Sequence, residues 1–142
     1  MIAISLRYFE DAFNAVLAAA ALPGITSNIA WPNRTYVPAK GVPYLKPEMA
    51  GRTRSPAGFG ADSVQRWDGR YQVGVFAPRD TGTRLINEIA SGVLALFPRG
   101  WAAQTPEGVW IRVVNGTAPA PVPFADWINQ PVEITWFATE PP

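Results

Sequence analysis

Residues 72–86, QVGVFAPRDTGTRLI, hold the arrangement in this chain that most resembles a site for chemistry. An alternating strand pattern runs into a short turn with Asp80, Thr81, Gly82 and Thr83, and a helical pattern follows. That is the outline of a phosphate-binding turn, where backbone N–H groups at a helix start cradle an anion. The details argue against it. A P-loop requires G-x-x-x-x-G-K-[ST], whose lysine reaches the phosphates; APRDTGT has one glycine and no lysine. A dinucleotide turn requires G-x-G-x-x-G in a parallel βαβ unit, and Gly74 and Gly82 do not form it. The turn reads instead as a joint, with Asp80, Thr81 or Thr83 capping the helix at about 1 kcal/mol and Gly82 relaxing the backbone.

Other chemistry is equally thin. The chain has no cysteine and no histidine, which removes disulfides, Cys/His zinc sites, His-based triads and the usual general base near neutral pH. Glu10 and Asp11 are neighbours on the polar side of a helical pattern. Asp62, Asp68 and Asp80 are scattered over a loop, a strand and a turn. No run has the ligand spacing of an EF-hand. The sequons NRT (33–35) and NGT (115–117) matter only in a secreted protein. The residues therefore predict no catalytic group, no cofactor and no metal, and a protein that is not an enzyme.

The elements that would position any site follow from the chain's totals and periodicities. Its 142 residues, 48% of them hydrophobic, suit one domain over 1–142 with a core that needs no staple. A net charge of +1 offers no basic excess for nucleic acid. The N-terminal stretch lacks a basic region ahead of its apolar part, and Arg7, Glu10, Asp11 and Asn14 interrupt it, so a soluble, unprocessed protein without a membrane segment is expected.

Leu6, Phe9, Phe13, Val16, Leu17 and Ala20 recur at helical spacing over 4–22, and Pro23 and Gly24 end the pattern. A Pro-punctuated passage over 25–43 allows short extended pieces near 29–31 and 35–37. A strand follows at 42–49, with Leu45 and Met49 opposite Tyr44, Lys46 and Glu48. Residues 50–63, rich in Gly, Ser and Pro, read as a flexible loop. The clearest strand, 64–77, sets Trp67, Tyr71, Val73 and Val75 against Arg66, Asp68, Arg70 and Gln72. A helix is expected over 83–97. Strands are expected at 108–114 and 131–137, with 101–104 pairing to 109–114 through TPEG. Between them Pro119, Pro121 and Pro123 favour extended, polyproline-like chain. The predicted fold is α+β: a largely antiparallel, twisted sheet with two helices packed on one face. The other face then carries Lys46, Glu48, Arg66, Asp68, Arg70, Gln72, Arg112, Glu133 and Thr135. Ten of the twelve basic residues are Arg, which interfaces favour over Lys.

In order, IAWPNRTYVPAKGVPYL, RWDGRYQVGVFAPRDTGT, a helix ending FPRG, GVWIRV and PVEITWFA form a series that is similar to the tail terminator proteins of long-tailed (siphovirus-type) bacteriophages and prophages. It covers roughly residues 4 to 138, and 50–63 and 115–129 match least. The resemblance implies a virion protein at the head-proximal end of the tail, made in the host bacterial cytoplasm. It implies a homohexameric ring that caps the tail tube, stops its polymerisation and offers a docking surface to the head. Its partners would be its own copies, the major tail tube protein and the head-completion (stopper) protein, with DNA passing through the lumen without sequence readout. Another head–tail connector or tail-completion protein of similar fold is the alternative. Expected assembly contacts are Arg52, Arg54 and Phe59 in the loop, and Arg66, Asp68 and Arg70 on the strand.

Overall fold

The structure, a computed structural model, describes residues 4–58 and 64–141. The chain runs α1 (Leu6–Ala18), β1 (Tyr44–Pro56), β2 (Gln65–Pro78), α2 (Arg84–Leu96), β3 (Ala102–Gln104), β4 (Trp110–Thr117), β5 (Val122–Phe124) and β6 (Trp127–Thr139). Every strand pairing is antiparallel. The sheet order is β1-β2-β6-β4-β3, and β5 shares with β4 the far edge of β6. This is the α+β arrangement that the alternating and helical periods predict.

Register explains the core. Leu45 sits opposite Val75, Val73 opposite Val132, and Tyr71 opposite Ile134. Side chains alternate across a strand, so one face of the sheet is almost wholly apolar. Phe9, Phe13 and Leu17 of α1, with Ile86, Ile89, Ala90 and Val93 of α2, bury against it. Phe13 is the hub, with ring centroids of Tyr71, Trp101, Phe97 and Trp136 at 4.8, 5.3, 5.4 and 5.8 Å. The Tyr71 hydroxyl donates to Asn14 Oδ1 at 2.6 Å. Burial, and secondarily the Glu10 carboxylate, hold its phenol far above the ordinary tyrosine range.

Gly69 shows how sequence and packing interlock. It lies opposite Trp136, the largest fully buried side chain. A Cβ at residue 69 would stand 2.5 Å from the indole and 2.4 Å from the Gly51 carbonyl oxygen. The glycine in RWDGRYQV thus makes the seat for the tryptophan. At the N-terminus of α1 the Ser5 N–H donates to both carboxylate oxygens of Glu107, at 3.0 and 3.2 Å. That places a negative charge where the helix dipole favours it.

Several expectations need correction. α1 ends at Ala18 rather than at residue 22, because Leu22 is drawn away to pack against Gly92 of α2. The predicted loop is strand as far as Pro56, with Arg52 opposite Gly69 and Arg54 opposite Trp67. Its Gly51 and Pro56 are tolerated because β1 is an edge strand with a register shift between Met49 and Gly51. Residues 35–37 form no strand; nearby, Ile29 bridges to Leu45. The proline-rich passage holds an unforeseen strand: residues 122–124 form β5 and pair with β6 across a turn in which Ala125 takes φ 53°. Thr83, at the start of α2, makes no side-chain cap bond. Thr81 instead closes the turn by donating to the Pro78 carbonyl at 2.7 Å, while Asp80 and Gly82 take φ of 64° and 80°. The turn is a joint, as expected, but it is not built by capping.

Candidate assembly surface

The face away from the helices carries the residues that alternation assigned to it. Gln72 donates to Glu133 across β2 and β6 at 3.2 Å. Arg66 pairs with Asp68 at 3.0 Å and lies 4.3 Å from the Phe137 ring centroid. Exposed Arg70 has no ion pair among the described residues.

The six expected contacts do not form one patch. Arg66, Asp68 and Arg70 stay on the open face. The register shift in β1 turns Arg52 and Arg54 to the helix side. Arg52 Nη1 donates to the Leu6 carbonyl at 3.2 Å. Arg54 pairs at 3.3 Å with Glu140, which is only 8% exposed and also accepts the Trp67 indole N–H at 2.8 Å. Arg54 is therefore tied into the chain's own fold. Phe59 lies outside the described residues.

Sequence reasoning missed an aromatic shelf at the opposite end of the open face. The rings of Tyr44 and Phe76 stack 4.7 Å apart and nearly parallel. Trp127 meets Tyr44 edge-on at 5.1 Å, Tyr36 lies 5.3 Å from it, and Phe124 stands 6.1 Å from Phe76. Phe124 is 60% exposed. Burial raises the phenol pKa of Tyr36 and Tyr44, with Tyr36 adding to the effect on Tyr44. The missed signal was simple: the polar parity of Arg66 to Gln72, carried two steps further, reaches Phe76.

Two hollows open nearby. One of about 180 Å³ lies over Gly74, walled by Lys46, Glu48, Gln72, Phe76 and Asn129; the buried Asn129 Oδ1 has no hydrogen-bond partner. A larger one, about 820 Å³, lies beside the Asp80 turn, with Lys40, Arg79, Asp80 and Asp126 on its wall. No group of three or more His, Cys, Asp or Glu able to hold a metal occurs among the described residues. No helix among the described residues is long and apolar enough to cross a membrane.

The outer edge of β1 is blunted against strand addition. It carries Pro47, Pro56 and the register shift, with Arg52 and Arg54 beyond it. Prolines, charges and bulges are the usual devices that keep a sheet edge from recruiting another strand.

Comparison with known proteins adds three findings. A family model described as phage tail terminator protein matches residues 9–136. A solved structure superposes with a TM-score of 0.77 at 22% identity, covering 99% of this chain and 99% of that one; at that identity the likeness establishes the fold alone. No curated protein matches the chain.

Proposed function

The chain belongs to the phage tail terminator family and is a structural component of the virion tail, and on that premise we propose that it forms a ring capping the head-proximal end of the tail tube. The ring halts addition of tube subunits and offers the head-completion protein its docking surface. The protein works by assembly and not by catalysis. The observation that carries this reading is the family match over 9–136. The sheet supports it: one face is sealed by helices, and the other leaves aromatic and charged side chains without a partner element.

The dimensions are compatible. A compact chain of this length is about 37 Å across by the size scaling of domains. Six touching discs of that size leave a central opening of about one disc diameter, enough for a DNA duplex to pass. A head-to-tail ring joins two unlike patches per copy and closes when the rotation allows it. Termination also needs asymmetry between the ring's two faces: one must accept a tube subunit and the other must refuse it. Arg66, Asp68 and Arg70 remain candidates for these contacts. Arg52 and Arg54 have internal partners to give up first.

The test is tube length. Purified tube protein polymerised with this protein should give tubes of restricted length, each with a ring at one end in negative-stain images. Tubes that grow to the same uncontrolled lengths with and without it would refute the reading.

A further inference from the structure

A head-to-tail ring needs two unlike patches on opposite sides of each copy. The residues Tyr44, Phe76, Asn129 and Val122 lie in one cross-strand row from β1 to β5. An unlike patch lies at each end of that row. On the β1 side the Ala30 N–H donates to the Leu45 carbonyl at 2.7 Å, which lays the following residues along the sheet edge. Between them and β1 runs a groove of about 380 Å³ walled by Trp31, Tyr36 and Tyr44, with Arg34, Lys46 and Glu48 at its rim. On the far side, residues 118–121 run without secondary structure into β5, and Pro119, Pro121 and Pro123 are all exposed. Gln130 Nε2 donates to the Pro119 carbonyl and to that of Pro131, tethering this strap to β6.

We propose, resting on the ring reading, that the 118–123 strap of one copy docks into the Trp31–Tyr36–Tyr44 groove of the next. Two properties fit the two patches to each other. Aromatic-lined grooves recognise proline-rich chain, whose fixed φ leaves little entropy to lose on docking. Residues 118–121, ahead of β5, would extend about 12 Å in the polyproline conformation, and 118–123 is exposed along its whole length. Charge does not oppose the contact: residues 118–123 carry no charged side chain, and the groove rim holds Arg34 and Lys46 beside Glu48. Groove and strap are unlike patches, so joining one to the other gives the head-to-tail contact that a ring requires.

The absence of cysteine makes the contact directly testable. The double variant Tyr36→Cys/Pro121→Cys places one thiol on each patch. A disulfide needs its two Cα atoms within about 7 Å. In one copy Tyr44 and Val122 stand three strand spacings apart, about 14 Å, with the Tyr36 groove along the outer edge of β1, so a bond between the two thiols must join two copies. Assembled with tube protein and oxidised, the variant should give a ladder of covalent oligomers ending at the copy number of the ring. A control pair, Tyr36→Cys/Arg99→Cys, should give no ladder. Tyr36→Ala and Pro121→Gly should each raise the concentration needed for ring assembly roughly tenfold, with thermal unfolding unchanged as the check on folding. Rings at tube ends without a bond between positions 36 and 121 would overturn the docking and leave the ring reading standing. If wild-type protein forms no ring on tube ends, the ring reading fails, and the docking with it.

Discussion

The two faces of the sheet are written by the same strands, in alternate residues, yet they do different work. The covered face collects Tyr71, Val73, Val75, Val132, Ile134 and Trp136 under two helices, all fully buried. The open face, one residue out of step, collects paired and unpaired charges in its middle and an aromatic shelf at one end. Nothing in the described chain covers Phe124 or Val122. Position parity alone therefore separates residues whose loss should unfold the protein from residues whose loss should leave a folded protein that fails to assemble.

The largest expected effect comes from the hub of the covered face. Phe13→Ala removes a ring packed against four others and should cost about 3–5 kcal/mol in urea unfolding. Phe124→Ala, on the open face, should change stability by no more than about 0.5 kcal/mol. A large loss from Phe124→Ala would break the distinction between the faces. The glycines of β2 sharpen it. At Gly69 an added Cβ meets a backbone carbonyl and a buried indole that have nowhere to go, so Gly69→Ala should cost about 3 kcal/mol. At Gly74 the nearest atom, at 2.9 Å, is the edge of the Phe76 ring, a side chain and not backbone. Gly74→Ala should cost about 1 kcal/mol, and melting temperatures of the two variants would rank them.

The arginines extend the comparison to smaller energies. Arg54 holds the nearly buried Glu140, and Arg54→Met leaves that carboxylate with the Trp67 indole alone. The expected cost is about 1.5–3 kcal/mol. Arg66 pairs with Asp68 in the open, where such pairs contribute less than about 1 kcal/mol, so Arg66→Met should barely move the unfolding midpoint. If it does more than Arg54→Met, the assignment of the two side chains to opposite faces is wrong.

Parity was legible in the sequence and register shifts were not. Alternation placed Leu45, Tyr71, Ile111 and Ile134 inward and Arg66, Asp68 and Arg112 outward, because a strand's period of two writes its faces directly into residue order. Residues 50–56 looked like loop because Gly51, Ser55 and Pro56 disfavour a central strand. An edge strand tolerates them, and edge position is a property of the whole sheet. The shift between Met49 and Gly51 then reverses parity, which is why Arg52 and Arg54 could not be assigned a face beforehand. The aromatic shelf was hidden for a related reason: Tyr44, Phe76, Trp127 and Phe124 come from four strands and meet only through register. Leu22 left its helix for Gly92, a contact seventy residues away that no local period contains.

The tyrosines separate the two faces most cleanly at high pH. Tyr71 on the covered face and Tyr44 on the open face both have phenols held above the ordinary value near 10, chiefly by burial. Above about pH 10 the unfolded chain releases these protons while the folded chain keeps them, so the unfolded state binds fewer protons and stability must fall as pH rises. For the deeply buried Tyr71 that fall is about 1.4 kcal/mol per pH unit. Below pH 10 both forms are protonated, and Tyr71→Phe should cost only the bond to Asn14, about 1 kcal/mol. Between pH 10 and 11.5 the order changes. Urea titrations of Tyr71→Phe should show a clearly shallower decline than the parent, and those of Tyr44→Phe a decline only slightly shallower. Burial raises the Tyr71 phenol far more than that of Tyr44. Equal flattening by the two variants would mean that the open face is as closed as the covered one, and the shelf would then be core and not a surface awaiting a partner.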